Sequence, residues 1–111
     1  MRSNQFNIKI VDEAKNEIIS VYADNDHFYE ALSRAYLTIF DEVIKKRRNE
    51  EIPKGKKTAC IRLEHTDLRN NDGEFIFPLN SVTFCATDES STGALELVLN
   101  KAMKEFEKII E

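Results

Sequence analysis

The stretch from Thr58 to Ala86 constrains this chain most, because it pairs with itself in only one self-consistent register. Residues Thr58 to His65 alternate, with Ala59, Ile61 and Leu63 on one face, the period-two pattern of a half-buried strand. Asn71-Asp72-Gly73-Glu74 then carries Asp-Gly, a pair that accepts the positive φ of a tight hairpin turn. With Asp72-Gly73 at the turn, Leu63 faces Val82, Ile61 faces Phe84 and Ala59 faces Ala86. On the reverse face Arg62 meets Thr83, Glu64 meets Ser81 and Cys60 meets Cys85. A slip of one residue would send the apolar set to the wrong side. The two cysteines are then expected opposite each other, with Cα atoms about 4.5–5.5 Å apart. The same register turns Leu68, Phe75, Phe77 and Leu79 away from the core at the hairpin tip. Pro78 has no donor for a ladder, so a bulge that returns these residues to the core is favoured over an exposed apolar tip.

A second hairpin lies upstream. Phe6, Ile8 and Ile10 alternate with Asn7 and Lys9, and the pattern resumes with Ile19, Val21 and Ala23. A turn at Lys15-Asn16 sets Ile10 opposite Val21 and Ile8 opposite Ala23. Each hairpin leads into a helix. Asp24-Asn25-Asp26 supplies caps, and Phe28, Leu32, Ala35, Ile39 and Val43 recur at helical spacing from about Asp26 to Arg48. After Thr87–Thr92 come Leu95, Leu99, Ala102, Phe106 and Ile109, with Val98, Met103 and Ile110 beside them. The expected fold is a two-layer α+β sandwich in ββαββα order: a mainly antiparallel four-stranded sheet with two helices on one face. The other face, with Lys9, Ser20, Tyr22, Arg62 and Thr83, is expected to be solvated. Its 111 residues suit one domain. Ala23, Ala31-Leu32 and Glu42 echo Ala86, Ala94-Leu95 and Glu105 at one fixed offset, suggesting a ββα pseudo-repeat over 5–49 and 58–111.

Sixteen basic against 20 acidic residues leave a net charge of -4, which gives no general pull toward nucleic acid or anionic membrane. The Met1–Gln5 start has no apolar run after it, and no run approaches the ~20 residues of a membrane span. Two cysteines make no secreted framework and no zinc spacing, so a reducing cytoplasm and two buried, reduced thiols are expected in preference to the strained disulfide or redox pair that directly opposed strand cysteines also allow.

Catalytic chemistry finds little purchase. His27 sits at a helix start among Asp24 and Asp26, where a cap or surface role suits it, and His65 reads as a half-buried hydrogen-bonded residue. No cofactor motif is present and no cofactor or metal is expected. The concentrated charge is Lys45, Lys46, Arg47, Arg48, Lys54, Lys56 and Lys57. It reads as a solvated helix end and loop, or as a patch holding the phosphates of a nucleotide or nucleic acid. No aromatic interleaves from Lys45 to Lys57, so base stacking has no support there. Ser90-Ser91-Thr92-Gly93 reads as a helix cap, since Asp88 and Glu89 would repel an anion. Tyr36, Leu37, Phe40 and Ile44, with Phe75 and Phe77 at the tip, form an apolar surplus that predicts a homo-oligomer, a dimer by preference.

Val21-Tyr22-Ala23 followed by Glu30-Ala31-Leu32 and Ala35 resembles the strand-to-helix segment of HicB-type antitoxins. The resemblance implies an antitoxin-like regulator and ends there. Three classes follow: a non-catalytic binding protein (interaction module, inhibitor or regulator), a phosphate binder through Lys45–Lys57, and a small enzyme without a recognisable motif.

Overall fold

The computed structural model describes residues 3–77 and 81–110. Strands β1 (Asn4–Val11) and β2 (Glu17–Asn25) lead into α1 (Phe28–Arg48), and β3 (Lys57–His65) and β4 (Val82–Asp88) into α2 (Ser91–Ile110). The fold is α+β: one antiparallel sheet in the order β2-β1-β3-β4, with both helices packed on its apolar face.

The β3–β4 ladder runs in the expected register from Lys57–Asp88 to Leu63–Val82. Beyond it the pairing breaks. Arg69 lies opposite Phe75, where the ladder's own register would set it opposite Ile76, so the tip is one residue out of step. Because faces alternate, that shift returns Phe77 to the core, where it is 4% exposed. Phe77 is therefore a core residue rather than an interface residue, and Leu68 packs against the core as well. Pro78 and Leu79, where the bulge was expected, lie outside the described residues. The turn is also wider than two residues. Asn70 Oδ1 accepts from the N–H groups of Asp72 (2.9 Å) and Glu74 (3.0 Å), and Gly73 takes φ 82°.

The first hairpin departs from expectation by two residues. Ile10 pairs with Ile19, Ile8 with Val21 and Phe6 with Ala23. The turn spans Asp12–Asn16: the Lys15 N–H reaches Asp12 O at 3.0 Å and the Asp12 N–H reaches Asn16 O at 3.0 Å. Lys15, not Asn16, takes the positive φ, at 68°. An even shift preserves the faces, so Phe6, Ile8 and Ile10 stay on the core side.

The buried positions of the two helices coincide at a constant offset of 63 residues: Phe28, Ala31, Leu32, Ala35, Ile39 and Val43 against Ser91, Ala94, Leu95, Val98, Ala102 and Phe106. The inner strands share one burial pattern at an offset of 53, with Asn4, Phe6, Ile8 and Ile10 answering Lys57, Ala59, Ile61 and Leu63. Leu99 is only partly buried and Ile109 is 43% exposed, so neither belongs to the innermost stripe.

Lys9, Ser20, Tyr22, Arg62 and Thr83 are exposed on the open face. Cys60 and Cys85 are direct partners there, with Cα atoms 4.1 Å apart, closer than expected, and they are joined in a disulfide. The expectation of buried, reduced thiols fails on both counts: they lie on the uncovered side of the sheet, and their adjacency allows a bond. Among the described residues no helix is long and apolar enough to cross a membrane.

Candidate functional site

Two surfaces draw together residues from distant parts of the chain. One lies where α1 ends and α2 begins. The last turn of α1 carries Lys45, Lys46, Arg47 and Arg48, cations placed favourably at a helix C-terminus. Lys45 pairs with Glu42 at 3.6 Å and Lys46 with Glu51 at 3.5 Å, both at the surface. Lys56 is exposed, and its backbone N–H donates to Glu13 Oε1 at 3.0 Å. Arg47, Lys54 and Lys57 instead line one cleft of about 610 Å³, together with Ile52, Pro53 and Ser91. Glu50 and Glu89 line it too, and both are exposed. Arg48 stands apart with Ile44 in a shallower hollow that Arg47 also reaches. The basic segment is thus divided by the fold.

Lys57 is the residue whose setting the basic run concealed. It is the first residue of β3, its side chain points to the core side, and it is only 6% exposed. Its Nζ donates to Glu89 O at 3.1 Å. Ser91, 3% exposed, has an Oγ with no hydrogen-bond partner among the described residues. Ser90 is the cap: its Oγ accepts from the Gly93 N–H at 3.0 Å, and Asp88 Oδ2 accepts from the Ser90 N–H and Oγ at 3.1 Å each. The capping reading of this tetrapeptide therefore holds for Ser90 and leaves Ser91 unexplained. A signal for Ser91 existed in the sequence: aligning Ala31-Leu32 with Ala94-Leu95 sets Ser91 where the first half carries Phe28.

The second surface is a groove of about 390 Å³ between the helices, lined by Tyr29, Leu32, Tyr36, Leu37, Leu99 and Met103. Leu37 is 62% exposed and Tyr29 41%. Tyr36 and Phe40 are half-buried, with rings stacked 6.2 Å apart. Burial, with a smaller contribution from Glu96 across the groove, raises the Tyr36 phenol above its ordinary value. Phe75 is 40% exposed at the hairpin tip, under the Arg69 guanidinium at 3.9 Å from the ring centroid. It does not line the groove, so the six expected interface positions separate into a helix face, a tip and the core.

His27 is the exposed first residue before α1 and makes no side-chain cap; its N–H donates to Asn25 Oδ1 at 2.9 Å. His65 is half-buried at the end of β3, and Asn80, expected opposite it, lies outside the described residues. No family model, curated protein or solved structure matches the chain. The segment Val21–Ala35 runs from the edge strand β2 into the first part of α1.

Proposed function

We propose that this protein is a non-catalytic binding module, of the inhibitor or regulator kind, that associates with a second copy of itself through the helix layer. The observation that carries the reading is the apolar groove between α1 and α2, with Leu37 and Tyr29 standing exposed on its lip. Contiguous apolar surface of this kind favours an interface, and a two-fold contact buries such a patch against itself. A non-catalytic role also suits the cysteines, which are bonded to each other and offer no thiolate.

The test is sedimentation of the native protein beside Leu37→Glu. The expected result is a native dimer, with the variant monomeric and its circular dichroism unchanged, because an exposed substitution shifts stability by only about 0.5 kcal/mol. A native protein that sediments as a monomer at high concentration overturns the reading.

A further inference from the structure

We propose that the cleft between the end of α1 and the start of α2 binds a single phosphoryl group, as free phosphate or as the phosphate of a monoester, on Lys57, Ser91, Arg47 and Lys54. The strongest evidence is a mismatch between equivalent positions. Asn4 and Lys57 each open the inner strand of a ββα half, and each donates to the carbonyl of a residue just before the following helix: Asn4 Nδ2 to Asp26 O at 3.0 Å, Lys57 Nζ to Glu89 O at 3.1 Å. The neutral amide of Asn4 is fully employed. Its Nδ2 also reaches Asn25 O at 3.2 Å, and its Oδ1 accepts from Thr66 Oγ1 at 2.6 Å. The fold therefore needs a buried donor at this position but no charge.

Lys57 brings a charge nonetheless. Among the described residues no carboxylate lies within ion-pair distance of its Nζ, which keeps one carbonyl for three N–H donors. Its ammonium thus stands at the wall of the cleft without a paired carboxylate, where an anion would supply the counter-charge. Ser91 makes the same case from the other wall. Its hydroxyl is buried and unpartnered at the position where the first half seats an aromatic ring, and buried polar groups in folded proteins nearly always have partners. An oxyanion in the cleft would accept from both, with Arg47 and Lys54 closing from the rim. The first turn of α2 contains no acidic residue, but the Asp88 carboxylate caps it through the Ser90 N–H and Oγ, so the cations rather than the helix amides carry the site. Glu50 and Glu89 stand exposed at the mouth. With a net charge of -4, they disfavour a polyanion and restrict the occupant to one phosphoryl group.

The inference goes beyond the proposed self-association and is independent of it. Its test is calorimetric titration, with inorganic phosphate in one arm and adenosine monophosphate in the other, read beside thermal unfolding. Saturable binding is expected in at least one arm, and the arm that binds more tightly identifies the source of the phosphate. Lys57→Met and Ser91→Ala should each weaken it, the first by at least tenfold, while Lys45→Glu leaves it unchanged. The ligand should raise the midpoint of native unfolding but not that of Lys57→Met. Ser91→Ala, a smaller change, keeps the test valid should Lys57→Met fail to fold. Absence of saturable binding in both arms overturns the proposal, as does binding that both cleft variants retain in full.

Discussion

The place where α1 begins and the place where α2 begins are equivalent in the fold and opposite in chemistry. At the first, Phe28 sits edge-on to Phe6 at 5.2 Å and to Phe106 at 5.0 Å, and stacks with Phe77 at 6.3 Å. At the second, the same buried position holds Ser91, and a cleft with three cationic side chains opens beside it. The hairpins account for part of this. The longer second hairpin folds Phe77 back over the aromatic end, whereas the first closes in the short turn Asp12–Asn16 and offers the other end Glu13. The two halves differ on the open face too. Asn7 and Tyr22 are paired in one, and the matching pair in the other is the disulfide Cys60–Cys85. The lesson is that a repeated pattern of burial constrains how much volume is filled at each position, and leaves its chemistry free to diverge.

The comparison breaks most visibly through Phe106. This ring meets Phe6, Phe28, Phe77 and Phe84, so Phe106→Ala should cost about 3–5 kcal/mol in urea unfolding. A cost near that of a surface change would deny the aromatic end its role as the firmly packed one. Next in size is the staple. Replacing Cys60 and Cys85 together by Ser should destabilise by about 3.5 kcal/mol, the value for a loop of 25 residues. Thiol titration of the native protein should find none free. The smallest effect has the opposite sign. Ser91→Ala removes an unpartnered hydroxyl, so without ligand it should leave stability unchanged or raise it by up to about 1 kcal/mol. A clear loss would mean that the hydroxyl is already satisfied in the free protein.

Much of the fold was legible because its signals are local. The β3–β4 ladder follows from alternation on both sides of Asp72-Gly73, and the helix stripes from three- and four-residue spacing. The first hairpin was read two residues out because its turn has no glycine, and the positive φ fell on Lys15, which no preference of residue type singles out. Phe77 was misplaced because a one-residue break in a ladder reverses faces without leaving a mark in composition. The site was harder still. Lys57 reads as one more cation in a basic run, and only the start of β3 turns its side chain inward.

The sequence by itself determined which residues alternate, which recur at helical spacing and that Cys60 opposes Cys85. Each of these depends on neighbours along the chain or across one tight turn. The tertiary structure alone decided that β1 pairs with β3 at the centre of the sheet, so that the start of α2 meets the end of α1. It alone separated Arg47, Lys54 and Lys57 from the other cations, buried Lys57 beside Ser91, and parted Leu37 on the helix face from Phe77 in the core. The physical reason is that burial and charge pairing depend on which surfaces meet, and these surfaces belong to segments dozens of residues apart.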